Sequence, residues 1–367
     1  MTDQMLSDLL EDAGSRIPVS PAPHSAILAR AALRRRLRTA RWLAAGVVAT
    51  ATAAIVAVGV AQVGGDDSGG SGIASSPIES FTQARVTYAE GSTIHYGDQT
   101  IGVAPYEVMA LVQTDDGFVF VDRDFAVRFT DGGGLEQIGH VEGFTGDLVL
   151  AADDTGSYVG WIDGDDAVVY DTASGAEVLR EPVPASGEGE RTVAAVDGDF
   201  AYVQSGAEVD VWELTTQTNT TITRADPRDR LGDVANGYLL WHHFNGTSVV
   251  SRDPDAEQPV FNKIIGEEED QLSPDASYVW APIWLFERAT QQDVTPRDAD
   301  PLSEGKLQWL DNDRYVADTD NMHTSARSDP HDLLICTASE GTCSVVAESL
   351  GDIVYPDGIA NEGAWEG

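Results

Sequence analysis

ANGYLLW, at residues 235–241, joins a polar turn to a short strand of aromatic and apolar residues. Five other segments repeat this pattern, namely DDGFVFV (115–121), DTGSYVGW (154–161), DGDFAYV (197–203), PDASYVW (274–280) and DNDRYVA (311–317). Their aromatic residues lie 40, 42, 38, 40 and 37 positions apart and are Phe118, Tyr158, Phe200, Tyr238, Tyr278 and Tyr315. A spacing this regular indicates a structural repeat of about 40 residues.

The second half of each repeat is a further strand and turn, as in AVVYDTASGAEVL (167–179), VDVWELTTQTNTTI (209–222) and LLICTASEGTCSVV (333–346). Helical periodicity is nearly absent from this region. Several short strands in each unit of about 40 residues are typical of a β-propeller, whose blades pack radially because no blade buries both of its faces alone. The sequence therefore predicts an all-β fold with a propeller over residues 81–355.

The six repeats favour six blades, with seven as the alternative. Three further strands precede the first repeat: RVTY (85–88), TIHY (93–96) and QTIGV (99–103), with Gly97-Asp98 as a tight turn between the last two. In the six-blade arrangement these strands complete the C-terminal blade and close the ring, which removes exposed sheet edges. In the seven-blade arrangement they form a blade of their own.

Residues 43–63, LAAGVVATATAAIVAVGVAQV, hold no charge and follow arginines at positions 34, 35, 36, 38 and 41. A stretch of this length can cross a bilayer as one helix. The arginines resist translocation, which predicts an N-terminus inside the cytoplasm and a propeller outside. A cleaved signal peptide is an alternative, although its charged region would be unusually long. A buried core helix is a third interpretation, which the uncharged run beside a basic cluster disfavours.

These features predict five parts of a single-pass protein of the cell membrane. Residues 1–42 form a helical cytoplasmic segment, and residues 43–63 form one transmembrane helix. Residues 64–80 contain the run GGDDSGGSG and form a flexible linker. The extracytoplasmic propeller occupies residues 81–355, and residues 356–367 form a flexible C-terminal tail.

The net charge is −39 and is unevenly distributed. Residues 1–45 hold seven Arg and four Asp or Glu, a net of +3, so the remainder carries −42. Such a surface repels phosphate backbones, which argues against a nucleic-acid partner. The acidic run Asp163-Gly164-Asp165-Asp166 lacks the ordered ligand spacing of a Ca²⁺ loop. No metal or cofactor is predicted.

The only two cysteines, Cys336 and Cys343, lie in ICTASEGTC, where Gly341 is part of a turn-rich centre. If the flanking strands pair as a hairpin, the two residues face each other at a distance that a disulfide spans. Such a bond persists outside the cytoplasm. A metal site is the alternative, and two thiols without a nearby Cys or His pair make a poor one.

Two segments resemble a known repeat family. LSPDASYV (272–279) resembles the SPDG-type turn of WD40-like, TolB-type propeller repeats, with Ala276 where that pattern usually has Gly, and VVYDTASGAEV (168–178) resembles the strand and turn that end such blades. With its basic, Ala-rich anchor, the chain resembles single-span membrane proteins of high-GC bacteria that carry an extracytoplasmic propeller. The resemblance covers about residues 25–350. It implies an architecture, often with a Cys-bridged hairpin in the last blade, but no assigned activity.

No enzyme motif is present in the sequence. HExxH, GxxxxGK[ST], paired CxxC and GxSxG on a strand-to-helix turn are all absent. SPDASYVW (273–280) is similar to the Asp-box of sialidase-type propellers, but Ser277 and Val279 replace its Gly and Thr. We interpret it as a plain blade turn and predict that the protein is not an enzyme.

Two regions are candidates for recognition. Trp241, His242 and His243 belong to the densest aromatic–imidazole cluster, together with Phe244. Adjacent residues on a strand point to opposite faces, so the two histidines cannot chelate one ion. The segment 317–331, ADTDNMHTSARSDPH, is a long polar insert that contains Asn321 and His323. Long loops often carry function, which makes it the candidate recognition loop.

Three functions fit these features. The first is a non-enzymatic binding protein that presents loops to a protein, peptide or glycan of the cell envelope. The alternative is a transmembrane regulator, in which Leu6, Leu9 and Leu10 form an apolar helical face for a cytosolic partner such as a sigma factor. A propeller hydrolase is a remote alternative, because no nucleophile, acid pair or metal constellation is evident.

Overall fold

The computed structural model describes residues 81, 84–141, 149–153, 156–184, 191–224, 226–252, 261–264, 270–281, 284–296, 307–318 and 331–360. All of them belong to one unit of the chain, Ile73–Gly367. The predicted cytoplasmic segment (1–42), membrane span (43–63) and linker (64–80) lie outside the described residues. Within the described ranges, no helix is long and apolar enough to span a membrane.

The described strands form seven antiparallel sheets, which we number as blades 1 to 7 in chain order. Blade 1 contains β1 (Thr87–Glu90), β2 (Thr93–Tyr96) and β3 (Gln99–Gly102). Blade 2 contains β4 (Val108–Thr114), β5 (Gly117–Asp122), β6 (Ala126–Thr130) and β7 (Leu135–His140). Blade 3 contains β8 (Ala151–Ala152), β9 (Tyr158–Asp163), β10 (Asp166–Asp171) and β11 (Ala176–Pro182). Blade 4 contains β12 (Arg191–Asp197), β13 (Phe200–Ser205), β14 (Glu208–Glu213) and β15 (Thr218–Thr223). Blade 5 contains β16 (Arg230–Ala235), β17 (Tyr238–His243), β18 (Thr247–Ser251) and β19 (Phe261–Ile264). Blade 6 contains β20 (Gln271–Leu272), β21 (Tyr278–Ala281), β22 (Trp284–Glu287) and β23 (Gln292–Asp293). Blade 7 contains β24 (Leu307–Trp309), β25 (Arg314–Asp318), β26 (His331–Thr337) and β27 (Thr342–Leu350).

The sheets are arranged as the blades of a ring. The first strands of successive blades contact one another from β1 through β4, β8, β12 and β16 to β20. Burial falls outward along blade 2, because β4 is buried at every position whereas β7 is exposed or half-buried throughout. Packing through the first strands, with the fourth strands outermost, defines a seven-bladed β-propeller.

The blade count corrects the favoured prediction of six to the alternative of seven. Blade 1 takes its innermost pairing from the other end of the chain, because Ala89 and Val354 exchange backbone hydrogen bonds of 2.8 and 2.9 Å. The C-terminal segment therefore completes the N-terminal blade, and not the reverse. The 40-residue period misses this blade because its strands come from two distant parts of the sequence.

A buried glutamine joins the last blade to the first. Gln308 on β24 accepts the backbone N–H of Thr87 at 2.8 Å and donates to the carbonyl of Arg85 at 3.0 Å. Because Gln308 and Thr87 are both buried, these hydrogen bonds are shielded from competing water. Gln308 therefore links blade 7 to blade 1 through hydrogen bonds.

Residues 356–360, assigned by the sequence to a flexible tail, are packed against blades 2 and 3. Gly358 donates its N–H to Leu111 O at 2.9 Å and accepts the N–H of Val149 at 2.9 Å. It has a φ of 77°, and a Cβ there would lie 1.8 Å from the carbonyl oxygen of Leu150. Only glycine fits this position. Residues 361–367 lie outside the described residues.

The repeat predicted from the sequence is confirmed in the second strand of blades 2 to 7. All six aromatic residues lie in these strands: Phe118, Tyr158, Phe200, Tyr238, Tyr278 and Tyr315. The three segments proposed as second halves form the outer hairpins of blades 3, 4 and 7. The SPDA turn is also present, with Ala276 at a φ of 56°, where the related pattern has Gly.

The predicted disulfide is confirmed. Cys336 and Cys343 are direct partners in the β26–β27 hairpin, with their Cα atoms 4.1 Å apart. In the chain-entropy model a loop this short stabilises the fold by about 2.5 kcal/mol. The bond fixes the register of the outermost hairpin of blade 7.

Candidate recognition face

The connections between strands lie on two opposite faces, because neighbouring strands within a blade are antiparallel. We call one the turn face; it carries the first-to-second and third-to-fourth connections of blades 2 to 7, including residues 115–116, 131–134, 198–199, 236–237, 273–277, 310–313 and 338–341. We call the other the loop face; it carries the second-to-third and blade-to-blade connections, including residues 123–125, 164–165, 206–207, 226–229 and 244–246.

Trp241, one of the predicted recognition residues, is buried on β17. The guanidinium of Arg224 lies over its ring, 4.6 Å from the ring centroid. The ring packs with Leu231 and Leu239 in a cluster of buried side chains. The structure therefore corrects the expectation of a direct recognition role, because the strand turns this side chain into the core.

His242 is also buried, within a polar network that joins blades 5 and 6. Its Nδ1 lies 3.2 Å from Ser248 Oγ and 3.5 Å from Asp270 Oδ2, and the Ser248 hydroxyl donates to the same carboxylate. Burial lowers the pKa of His242 to about 4, with the positive charge of Arg230 and the neighbouring His243 adding to the shift. At neutral pH this imidazole is uncharged.

The network is not arranged as a catalytic triad. Ser248 lies between the histidine and the carboxylate, whereas nucleophilic catalysis places the histidine between the other two groups. Ser248 is itself buried. The far side of the His242 ring lies against Gly232, where a Cβ would stand 1.9 Å from Nε2. These contacts hold the imidazole in one position beneath the loop face.

His243 points the other way and is half-buried. Its Nδ1 lies 2.9 Å from Asp229 Oδ2, and Arg224 Nη2 lies 3.5 Å from the same oxygen. The two histidines thus lie on different sides of β17 and share no ligand position. Among the residues that the structure describes, no group of three His, Cys, Asp or Glu side chains could hold a metal ion.

Phe244, in the second-to-third connection of blade 5, is 63% exposed. The guanidinium of Arg228 lies over its ring at 3.5 Å from the centroid. Two hydrogen bonds, of 3.0 and 2.9 Å, hold that guanidinium to Asp226, and they lower the pKa of the Asp226 carboxyl to about 2. Phe244 is therefore an exposed aromatic ring that packs against a fixed arginine side chain.

Trp284 occupies the corresponding place in blade 6 and is 40% exposed. It begins β22, at the loop-face end of that strand. Trp280 lies on the preceding strand and is fully buried. The structure thus separates a core tryptophan from a surface tryptophan in the same blade.

The acidic run of blade 3 is balanced by arginines. Arg180 pairs with Asp163 at 3.0 Å and with Asp166 at 3.4 Å, and Arg191 pairs with Asp165. Their carboxylates therefore already have cationic partners on the loop face.

The remaining predicted residues lie outside the described ranges. These residues are Asn321 and His323 in the connection between β25 and β26, and Leu6, Leu9 and Leu10 near the N-terminus. Both β25 and β26 meet this connection on the loop face. β25 therefore ends, and β26 begins, on the face that exposes Phe244 and Trp284.

The sequence holds one signal that could have selected Phe244. Asn245-Gly246 directly after an apolar strand is a strong turn signal, which predicts that the residue before it lies at a surface. The structure has this turn, with Gly246 at a φ of 78° and its N–H donated to His243 O. Asp270 carries no comparable signal, because it meets Ser248 across 22 residues of chain.

No known family model matches the chain, and no curated protein matches it. Among solved structures, the computationally designed Ika8 protein is 16% identical over 74% of this chain and 86% of that chain, with a TM-score of 0.49. The RRP9 WD40 repeats are 13% identical over 74% and 86%, with a TM-score of 0.47. A chain in the Mitotic Checkpoint Complex is 11% identical over 66% and 79%, with a TM-score of 0.48. The seven-bladed fold itself rests on the sheets described above.

Proposed function

We propose that this protein is a membrane-anchored, non-enzymatic binding module whose propeller presents its loop face to a partner at the cell envelope. The favoured partner is a protein, and a peptide or a glycan of the cell envelope is the alternative ligand. The observation that carries the proposal is the pair of exposed aromatic rings, Phe244 and Trp284, on one face of neighbouring blades. Aromatic and Arg side chains dominate the energetics of protein interfaces.

The environment of Phe244 supports a binding role. Exposure of a phenyl ring to water is unfavourable, and the free energy falls when a partner covers the ring. Here the ring is held by Arg228, which Asp226 fixes in turn. Because the ring is already oriented, a partner has less conformational entropy to remove on binding.

The turn face differs from this arrangement, because its aromatic ring that lies under arginines, Tyr238 beneath Arg252 and Arg288 at 4.3 and 4.0 Å, is half-buried. Asp313 accepts the backbone N–H and the hydroxyl of Ser339 at 2.8 and 2.7 Å. Asp197 accepts the N–H of Gly237 at 2.8 Å. These carboxylates hold the turns of the propeller together, whereas Phe244 and Trp284 do not close any turn. We therefore assign recognition to the loop face.

The membrane anchor in this proposal rests on the sequence of residues 43–63 and the arginines before them. A single uncharged span would tether the propeller beside the bilayer, with its N-terminus in the cytoplasm. The acidic propeller would remain soluble and monomeric at the surface, because high net charge opposes association.

Site-specific photo-cross-linking tests the proposal. A photoreactive amino acid is placed at position 244 in the intact protein in its native membrane, and at position 200 as the matched control. Phe200 is 41% exposed but begins β13 beside the turn 198–199 on the opposite face. We expect a discrete adduct from position 244 and none from position 200.

The outcomes separate the two faces. Discrete adducts from position 200 alone would move recognition to the turn face. No discrete adduct from either position, in cells where the protein is functional, would contradict the proposal that the propeller binds a partner. Turnover of ester, glycoside or peptide substrates by the purified protein would contradict its non-enzymatic character.

A further inference from the structure

The outermost strand of blade 7, β27, differs from the outer edges of the other blades. β27 spans nine residues, whereas β3, β19 and β23 span four, four and two. Outer strands β7 and β11 carry the charged residues Glu136 and Arg180, and β15 is the polar run TNTTIT. Short length and charged or polar side chains are the usual protections of an edge strand.

β27 combines its length with exposed apolar side chains. Val345 is 50% exposed and Val346 is 43% exposed. Cys343, Ala347 and Leu350 pack inward as partly buried residues, so the strand is anchored to the blade along its length. It contains no proline, lysine or arginine.

The register shows which backbone groups point outward. Cys336 and Cys343 lie 4.1 Å apart at Cα, the short separation of a non-hydrogen-bonded pair. Ladder alternation makes Ser344 a hydrogen-bonded partner of Ile335, and Val345 a non-hydrogen-bonded partner of Leu334. Cys343 and Val345 therefore direct their N–H and C=O groups away from β26.

The accessible edge has a defined end. The pairing of β26 and β27 shifts between Leu333 and Leu334, which leaves Val346 as an extra residue on β27. Ser349 has a φ of 58° and donates its N–H to Asp332 at 2.9 Å. A partner strand could therefore pair with Thr342–Val346 but not beyond it.

The charge of the surrounding chain selects the partner. Acidic residues flank this edge on both sides, Glu340 in the turn before it and Glu348 after it, and residues 331–360 hold no Lys or Arg. Like charges placed opposite each other on neighbouring strands destabilise the pairing. An acidic strand is thereby disfavoured at this edge, and a strand that alternates basic and apolar residues is favoured.

We propose that β27 is a second interaction surface, which accepts an extended basic–apolar peptide segment by β-strand addition. The backbone of the peptide would pair with Cys343 and Val345, its apolar side chains would cover Val345 and Val346, and its basic side chains would lie near Glu348. Backbone hydrogen bonds supply affinity in this mode and side chains supply specificity. The surface is separate from the loop face.

Three end-blocked octapeptides test the proposal with the detergent-solubilised full-length protein. The first alternates Lys and Val, the second Glu and Val, and the third Lys and Pro, which keeps the charge but removes alternate N–H donors. By fluorescence anisotropy, we expect the Lys-Val peptide to bind at least tenfold more tightly than either control. Equal binding of the Lys-Pro peptide would reduce the interaction to charge alone and overturn the proposal.

Two variants locate the contact on β27. Val345→Pro removes an outward N–H and should weaken Lys-Val binding at least tenfold, whereas Val345→Thr keeps the donor and should weaken it about threefold. Hydrogen exchange of the unsubstituted protein gives an independent result if Val345→Pro unfolds the hairpin. The peptide should slow exchange at Cys343 and Val345, and unchanged exchange would contradict the proposal.

Two controls separate the alternatives. Phe244→Ala should leave binding of the Lys-Val peptide unchanged, so failure at β27 and failure at the loop face are distinguishable. Protection of the same amides without peptide, in a dimer detected by sedimentation, would replace the peptide with a second copy of the chain and overturn the proposal.

Discussion

The turn face and the loop face are built from connections of the same blades, yet their side chains are used differently. On the turn face, polar side chains close turns and join blades, as Asp313 does with Ser339 and Asp197 with Gly237. On the loop face, Phe244 is exposed, although a buried network lies beneath it. The repeated turns thus determine the side chains of the turn face. The loop face is less constrained by the repeat, so a recognition surface can form there.

The largest expected effect comes from disrupting the buried His242 network beneath the loop face. Gly232→Ala places a Cβ 1.9 Å from Nε2 of His242, whose ring Ser248 and Asp270 hold in place. We expect the free energy of unfolding to fall by about 3 kcal/mol, at the upper end of overpacking effects. Urea denaturation measures it.

The matched control for this substitution lies on the turn face. Gly134→Ala introduces a Cβ with no atom within 4 Å. We expect a change within about 0.5 kcal/mol. Adding His242→Ala to Gly232→Ala should recover part of the loss, because the clash then disappears. Equal losses from both glycine substitutions would show that the contact with His242 is not the cause.

The second effect concerns affinity for the partner that cross-links to position 244. Phe244→Ala should weaken its binding about 30-fold, corresponding to about 2 kcal/mol for an interface hot spot. Stability should be unchanged, because the side chain is 63% exposed. Titration calorimetry with the purified partner measures the affinity.

Phe200→Ala is the counterpart on the turn face, and it should weaken binding less than threefold. The substitution removes the same phenyl ring, which is 41% exposed at this position. A larger loss for Phe200→Ala than for Phe244→Ala would reverse the assignment of the two faces.

The third effect is a pair of opposed pH dependences in blade 5. His242 has its pKa lowered to about 4 by burial, so the unfolded chain binds the proton first and stability falls as the pH drops from about 6.5 towards 4. Burial raises the pKa of Asp233 to about 6, although hydrogen bonds from the N–H groups of Leu272 and Val234 oppose the shift. Its folded form binds the proton first, so stability rises as the pH drops from about 6 towards 4.

Single substitutions should separate these contributions. Relative to the unsubstituted protein, His242→Gln should gain about 2 kcal/mol between pH 7 and pH 4.5, and Asp233→Asn should lose about 2 kcal/mol. Urea denaturation at the two pH values measures both. Parallel pH profiles for all three proteins would contradict the opposed shifts.

The smallest effect tests the turn face itself. Ala276→Gly relieves a left-handed backbone that costs an alanine about 1 kcal/mol, but it removes a buried methyl group of similar value. We expect a net change within about 0.5 kcal/mol by thermal unfolding. A loss above 2 kcal/mol would indicate that packing of this methyl, and not backbone geometry, determines the residue.

The predictable part of the fold is the part that is local in sequence. The aromatic strand of blades 2 to 7 and the Cys336–Cys343 hairpin depend on neighbours within one repeat, so their patterns are visible. The sequence leaves the choice between six and seven blades open, because Val354 pairs with Ala89 of blade 1 from the far end of the chain. No periodicity links residues so distant.

The candidate site was predicted less well for a related reason. The cluster around residues 241–243 was selected by composition, but burial depends on which face of β17 meets the core. Trp241 and His242 face inward, and the adjacent turn exposes Phe244. Trp280 and Trp284 are similar in sequence context, yet only the second lies at the surface. Exposure of this kind is a tertiary property.

The most direct test of the account is amide hydrogen exchange of the full-length protein with and without the partner captured at position 244. We expect slower exchange at residues 244–246 and at Trp284 on the loop face, with no change at residues 198–199, 236–237 and 273–277 on the turn face. Protection of the turn face, with the loop face unchanged, would contradict it.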